Sequence, residues 1–166
     1  MTELTHLDDA GRARMVNVGG KEATVRTARA RAVLRTTPET AARLAVGDLP
    51  KGDALPVARI AGIQAAKRTP DLLPLCHQVA LAGVEVEVTV DAEAGLTTVV
   101  TTASANDRTG VEMEALVAAS VAALALYDMV KAVERGAVVE EVALLEKTGG
   151  TRGDYHRRPS DGKDEA

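Results

Sequence analysis

The clearest pattern in the chain is the strict alternation of apolar and polar residues at 84–91, where the sequence reads VEVEVTVD. A period of two is typical of a strand with one buried face. A turn at 92–95 leads into the β-branched segment 96–103, so the two segments predict a β-hairpin. Alternation of Ala or Val with Arg at 28–36 predicts an earlier strand, and the apolar run 138–145 predicts a last one.

Two helices are predicted between the first strand and the hairpin. Thr37 followed by Pro38 is typical of an N-cap and a first helical residue, and Gly47 is expected to end this helix. Asp53 is placed to cap a second helix over 54–67.

A longer helix is predicted after the hairpin. Thr109 and Glu112 have the spacing of a capping box. The helix is expected to run to Glu134 or Arg135 and to end before Gly136.

The order of these elements is β-α-β-β-α-β with a doubled first helix. It predicts an α+β fold, a ferredoxin-like sandwich whose four-stranded antiparallel sheet carries its helices on one face. The length of 166 residues fits one domain. We expect an irregular N-terminal arm at 1–21, the domain at 22–154, and a polar, disordered tail at 155–166.

The middle of the long helix, from Ala118 to Leu126, has almost no polar face. A helix that is apolar all round is buried all round, whereas a single sheet covers only one of its sides. We therefore predict a homo-oligomer in which a second subunit covers the other side.

Composition narrows the classes of function. The formal net charge is −4, and the chain has no Phe, no Trp and two Tyr. Nucleic-acid binding needs a basic surface, and single-strand binding uses aromatic rings to stack bases, so neither class fits. A locally basic pocket for a small polyanion stays compatible with the charge.

The single cysteine, Cys76, excludes an intrachain disulfide and favours a cytoplasmic setting. Residues 1–9 contain no apolar signal-peptide core, and no uncharged apolar run reaches about 18 residues. The sequence therefore predicts no membrane span.

Charged residues on the long helix are the first candidates for chemistry. Asp128 and Lys131 share a face, and Glu114, fourteen residues before Asp128, lies within about 40° of it around the axis. Asp128 and Lys131 fit two interpretations, a surface salt bridge or an acid–base pair at the rim of a pocket.

His77 and Cys76 lie on a connection that we expect to be non-helical, because Pro70 and Pro74 bracket it. Adjacent Cys and His match no common metal-ligand spacing, so no metal site is predicted. Cys76 is expected to be a small buried side chain. His77 fits either a core histidine or a titrating acid–base group.

Other candidates each have a structural explanation beside the functional one. The capping box accounts for Glu112, and a solvated loop tip or a helix end accounts for Lys51 and Lys67. The glycines between Lys147 and Asp154 let backbone N–H groups converge on an anion, although the spacing is not that of a P-loop.

Several longer sequence motifs, taken together, are a specific signal of family membership. They are AGIQAAKRT at 61–69, LPLCH at 73–77, GVEMEA at 110–115, and YDM at 127–129 followed by KAV at 131–133. They resemble the signatures of the cyclic pyranopterin monophosphate synthases, and the resemblance spans roughly residues 4–154. Gln78 stands where that family usually has Pro, which puts the orientation of His77 in question.

The resemblance implies a ferredoxin-like fold assembled as a homohexamer of three dimers. It implies that the substrate is 3′,8-cyclo-7,8-dihydro-GTP and that the products are cyclic pyranopterin monophosphate and pyrophosphate, in molybdenum cofactor biosynthesis. No organic cofactor is expected, although Mg²⁺ can assist. Another phosphorus–oxygen lyase or hydrolase and a non-catalytic ligand sensor are the alternatives.

The resemblance also assigns roles. Asp128 is expected to be the catalytic acid–base, and Lys51 and Lys131 to be catalytic lysines that reach one site from different subunits. A lysine desolvated beside another cation acts as a base through a lowered pKa. His77 is expected to take part in catalysis. The expected substrate-binding residues are Leu75, Cys76, His77, Glu112, Met113, Glu114, Arg26, Lys67 and Lys147.

Overall fold

The computed structural model of the chain describes residues 7, 10–151 and 153–158. Its helices are α1 (Pro38–Ala45), α2 (Ala54–Ala66), α3 (Thr69–Leu72) and α4 (Glu112–Val130). Its strands are β1 (Thr24–Arg35), β2 (Leu81–Asp91), β3 (Leu96–Asp107), β4 (Val138–Thr148) and β5 (Tyr155–His156).

The strands form one antiparallel sheet in the order β2-β3-β1-β4-β5. This confirms the predicted α+β class, the hairpin and the β-α-β-β-α-β order. The prediction of four strands is wrong, because Tyr155 pairs with Lys147 and His156 with Glu146 along the edge of β4. The tail predicted from residue 155 therefore begins with a strand. Predicted arm positions 1–6 and 8–9 and tail positions 159–166 lie outside the described residues.

Alanines build the contact between the sheet and α4. The buried face of β1 is Ala28, Ala30, Ala32 and Leu34, and α4 buries Ala115, Ala118, Ala119, Ala122 and Ala123. Small side chains on both surfaces let the helix lie close to the sheet. Gly62 does the same for α2, because a Cβ at this position would lie 3.1 Å from the carbonyl oxygen of Ala118.

The two sides of α4 are covered to different extents. The sheet covers one side and α2 packs along another, so part of the apolar surface that we assigned to a second subunit is covered within the chain. Leu124 stays 58% exposed and Met113 38% exposed. Both lie on one stripe of the helix with Val117 and Asp128.

Among the described helices, only α4 has the length and mean hydropathy (1.6) of a membrane span, and half of its apolar window is buried inside the fold. A core helix has the same composition, and the packing of α4 against the sheet and α2 gives it that role.

The predicted ends of the first two helices are confirmed. The Thr37 hydroxyl accepts a hydrogen bond from Thr40 N, Pro38 follows in the first turn, and Gly47 takes a φ of 72° after α1. The Asp53 carboxylate accepts from Leu55 N at 3.1 Å.

The predicted capping box at the start of α4 is wrong. The N-cap is Val111, whose apolar side chain makes no capping hydrogen bond. The Glu112 carboxylate lies against Gly110, where an added Cβ would overlap it, and its charged partner is Lys147.

Two further boundaries differ from the prediction. The connection between Pro70 and Pro74 contains one helical turn, α3, in which Pro70 occupies an early position that needs no N–H donor. At its other end, α4 stops at Val130 rather than near residue 135, because the chain turns there and Val133 N donates to Val130 O.

Candidate active site

The predicted site residues form two groups at opposite ends of α4. Asp128 lies in the last turn of the helix and Glu114 in the first. Fourteen residues at 1.5 Å per residue separate the two by about 21 Å along the axis. The shared face predicted for Glu114 and Asp128 therefore does not bring their carboxyl groups together within one chain.

At the C-terminal end, Asp128 joins two lysines into what we call the Lys–Asp cluster. Its Oδ2 lies 2.6 Å from Lys51 Nζ and its Oδ1 lies 2.6 Å from Lys131 Nζ. Lys51 also donates to the backbone oxygen of Asp128 at 3.0 Å. Both lysines thus reach the same carboxylate from one subunit, and no subunit boundary is needed to bring the amines together.

The Lys–Asp cluster is open to solvent, with the Asp128 side chain 51% exposed. Hydrogen bonds from Lys131 and Lys51 lower the pKa of Asp128 to about 2. The same contact raises the pKa of Lys131, because the carboxylate stabilises the ammonium form. This is opposite to the lowered lysine pKa expected from the sequence, since Lys131 has an anionic neighbour and little desolvation.

At the N-terminal end of α4 lies a pocket of about 1200 Å³. Its walls come from the N-terminal arm, β1, the connection before β2, the loop before α4, the start of α4 and the end of β4. Eight of the predicted binding residues line it, namely Arg26, Leu75, Cys76, His77, Glu112, Met113, Glu114 and Lys147.

The glycine run after β4 makes room for Arg26, which is only 8% exposed. Gly149 and Gly150 have φ angles of 86° and 91°, and a Cβ on Gly150 would overlap the Arg26 guanidinium. The guanidinium Nε donates to the backbone oxygen of Asp107 at 3.1 Å. The run therefore supports a buried cation beside the pocket. Arg152, which the sequence places in this run, lies outside the described residues.

Glu112 and Glu114 bring two carboxyl groups to the same pocket. Glu112 lies 3.3 Å from Lys147 Nζ across the pocket wall. Glu114 is 3% exposed, and its burial, with Glu112 and Asp107 nearby, raises its pKa. Burial, with Glu114 close by, also raises the pKa of the Cys76 thiol, as expected for a structural cysteine and not for a nucleophile.

His77 contacts the N-terminal arm. Its Nε2 lies 2.6 Å from the backbone oxygen of Val16. The side chain is half-buried and lines the pocket, so the substitution of Gln78 for the usual Pro has not turned the ring away from it.

Comparison with known proteins assigns the chain to a family. Residues 15–150 match the sequence profile of the MoaC family. The chain belongs to the MoaC family.

Relatives within this family match nearly the whole chain. A cyclic pyranopterin monophosphate synthase from Herpetosiphon aurantiacus is 56% identical over 152 residues, which cover 92% of this chain and 93% of that protein. Cyclic pyranopterin monophosphate synthase 2 from Mycobacterium bovis is 54% identical over 159 residues, 94% of this chain and 92% of that protein. The synthase from Streptomyces avermitilis is 56% identical over 156 residues, 93% of this chain and 89% of that protein.

The structure adds two cations that sequence reasoning missed in this MoaC family member. Lys21, at the end of the arm, and Arg108, at the end of the hairpin, both line the pocket. Neither cation lies in a periodic segment or at the end of a helix. The only sequence signal near them is a neighbouring loop that contains glycine, Gly19-Gly20 before Lys21 and Thr109-Gly110 after Arg108. Lys67, in contrast, is an exposed residue at the end of α2 and does not line the pocket.

Within the part of the chain that the structure describes, no three His, Cys, Asp or Glu side chains are grouped as metal ligands. Two carboxyl groups, those of Glu112 and Glu114, line the pocket. Mg²⁺ usually keeps several waters and binds through one or two carboxylates plus substrate phosphates. A metal carried in by a polyphosphate would therefore meet suitable oxygens here.

Proposed function

We propose that the chain is a cyclic pyranopterin monophosphate synthase, a phosphorus–oxygen lyase of molybdenum cofactor biosynthesis. It converts 3′,8-cyclo-7,8-dihydro-GTP to cyclic pyranopterin monophosphate and pyrophosphate. The observation that carries this proposal is a large pocket lined, among the described residues, by four cationic and two acidic side chains, in a member of a family whose curated relatives have that name.

The charge of the pocket suits a triphosphate. Lys21, Arg26, Arg108 and Lys147 come from four separate segments of the chain. Cations at several points can neutralise the phosphates of the bound substrate and the charge on the departing pyrophosphate. Lys67 stays a predicted phosphate ligand, for which a neighbouring subunit is needed.

The two acidic groups suit the proton transfers. Ring opening of the purine, closure of the pterin and attack of a ribose hydroxyl on the α-phosphorus all move protons, so groups of different pKa are needed. Glu114, with its raised pKa, is the better donor, and Asp128, with a pKa of about 2, is an anion throughout the neutral range. In this site Asp128 holds and orients Lys51 and Lys131.

A second subunit would complete the site. If α4 packs against the α4 of a second copy in antiparallel orientation, the Lys–Asp cluster of one subunit faces the pocket of the other. The exposed stripe with Leu124 and Met113, which such packing would bury, supports this arrangement. We propose that such dimers form the homohexamer implied by the resemblance, that the protein is cytoplasmic, and that no organic cofactor takes part, with Mg²⁺ as an accessory ion.

The deciding experiment supplies purified protein with 3′,8-cyclo-7,8-dihydro-GTP and measures both products. We expect equimolar pyrophosphate and cyclic pyranopterin monophosphate. Pyrophosphate without the pterin would indicate a different lyase or hydrolase, and binding without turnover would indicate a sensor; either result contradicts the proposal.

Sedimentation in the same buffer tests the assembly, since a stable monomer at micromolar concentration would leave the pocket without a Lys–Asp cluster.

A further inference from the structure

The N-terminal arm forms one wall of the pocket although little of it is buried. Ala13, Val16, Val18 and Lys21 line the cavity. Within residues 10–21, only Val16 and Val18 are half-buried, and the other residues are exposed. Because the hydrophobic contribution grows with the apolar area removed from water, these two valines hold the arm only weakly. Polar contacts to the arm therefore carry much of its docking.

The contact between His77 and Val16 is such a contact. It joins two segments 61 residues apart, at 2.6 Å between Nε2 and the carbonyl oxygen. A carbonyl oxygen only accepts, so Nε2 must carry the hydrogen. A ring nitrogen that donates to the backbone cannot at the same time take a proton from a substrate. The geometry thus favours a role for His77 through the arm over a role as general base at this nitrogen.

Local turns in the arm determine where Lys21 lies. Lys21 N donates to Val18 O at 3.0 Å, and Gly19 N donates to the Asn17 side chain at 2.8 Å. Once Val16 is fixed by His77, these turns bring Lys21 to the cavity that also contains Arg26 and Lys147. The position of this cation therefore depends on the docking of the arm.

We propose that His77 is a positioning residue that docks the N-terminal arm, and that Lys21 is a substrate ligand which the docked arm supplies to an anionic oxygen of the phosphate chain. The identity of the substrate rests on the proposed function. The docking of the arm by His77 does not.

The docking is tested by limited trypsin digestion, since Arg14 and Lys21 offer cleavage sites in the arm. His77→Ala should be cleaved there several times faster than the wild type. His77→Gln should stay close to the wild type, because the glutamine amide keeps an N–H donor at the reach of Nε2. His156→Gln, on β5, is the matched control and should not change the rate. Equal cleavage of wild type and His77→Ala, at unchanged thermal stability, overturns the proposal whatever the activity.

Kinetics separate positioning from acid–base catalysis. We expect His77→Ala to raise KM about tenfold with a smaller change in kcat, the effect of losing a charge-assisted contact. His77→Gln should restore KM, and the pH profile of kcat should stay that of the wild type. A glutamine variant that keeps the arm protected yet loses kcat as fully as the alanine variant would mean that the imidazole itself transfers a proton.

A double-mutant cycle tests the link to Lys21. Lys21→Ala should weaken binding of inorganic tripolyphosphate, measured by calorimetry, and raise KM for the substrate. In the His77→Ala background it should have little further effect, because the arm is already displaced. Arg14→Ala, an exposed cation of the same arm, is the control. Independent, additive effects of the two substitutions would overturn the coupling.

A wild type that releases no pyrophosphate would refute the proposed function alone, since the digestion and the tripolyphosphate measurements do not need turnover.

Discussion

Two carboxylates on one helix behave in opposite ways in this protein. Glu114, in the first turn of α4, is almost fully buried and its pKa is raised. Asp128, in the last turn, is half exposed, and two ammonium groups lower its pKa to about 2. Desolvation controls the first and pairing controls the second. The comparison teaches that one end of α4 carries a carboxyl group whose protonated form is favoured by burial, and the other end carries a carboxylate held by two cations.

The largest effect is expected from breaking the Lys–Asp cluster. Asp128→Asn removes the charge that orients Lys51 and Lys131 and should lower kcat by about 10²–10⁴-fold, because misplaced lysines lose their contribution to acid–base catalysis. Lys51→Ala and Lys131→Ala should each act similarly. Turnover of the cyclised substrate measures the loss. Asp48→Asn, which removes an exposed aspartate paired with Arg43, is the control and should keep wild-type kcat. Full pterin production by the Asp128 variant would remove the cluster from the mechanism.

Mixing two inactive variants tests whether the ends of α4 meet across subunits. Asp128→Asn leaves the pocket intact, and Glu114→Gln leaves the Lys–Asp cluster intact. If each site takes one end from each subunit, random reassembly gives about a quarter of the sites both intact parts. We expect recovery to about a quarter of the wild-type rate after co-refolding, and none when either variant is refolded alone. If verified mixed oligomers show no recovery, the two ends of α4 do not form one site across subunits.

Glu114→Gln separates function from stability at the buried end. We expect kcat to fall by about 10²-fold, because the amide keeps the shape but cannot release a proton. The free energy of unfolding, in contrast, should be higher in this variant than in the wild type. The folded pKa is raised above its usual value of 4.5, so the wild type loses stability as the pH rises through the folded pKa. The neutral amide escapes this loss.

The measurement is thermal unfolding of the two proteins between pH 4 and 8. The melting temperature of Glu114→Gln should exceed that of the wild type by an amount that grows with pH and vanishes on the acidic side. Glu87→Gln, an exposed residue of β2, is the control and should show no such trend. A constant difference across the range would mean that Glu114 is not raised in pKa by burial.

The smallest effect concerns Arg26. Gly150→Ala places a Cβ where the guanidinium lies and should displace this cation from the pocket wall. Losing one charge-assisted contact corresponds to about a tenfold rise in KM. Gly153→Ala has a similar positive φ, 75°, but no described residue within 4 Å of the added carbon, so it isolates the backbone strain. Equal KM values for the two variants would show that the glycine run does not act through Arg26.

Periodicity predicts most of the fold and little of the site. The alternation in β2 and the caps Thr37 and Asp53 are local signals, so the hairpin and the first two helices follow from them. Strand β5 has two residues, too few for a period, and it forms because the edge of β4 offers free backbone groups. The capping box before α4 fails because the N-cap is Val111, and the Glu112 carboxylate pairs with Lys147, which is distant in sequence.

The pocket is built from long-range contacts, which no local pattern encodes. The resemblance to the family named eight of its lining residues, but nothing in the spacing of Lys21 or Arg108 indicates that they line the same pocket as Arg26. The separation of Glu114 from Asp128, in contrast, follows from the sequence, because fourteen residues at a rise of 1.5 Å span about 21 Å along a helix. The shared face was a misleading signal, since the angle around a helix axis says nothing of the distance along it.

The alanine contact between the sheet and α4 has a consequence for how the protein tolerates change. Its side chains are already reduced to a methyl group, so replacement by a smaller residue removes little volume and leaves almost no cavity. Any larger residue must push two backbones apart, and overpacking of this kind typically costs about 1–3 kcal/mol. Natural variation at positions such as Ala30 and Ala119 should thus be nearly one-sided, accepting Gly or Ser and rejecting Val, Leu and Phe.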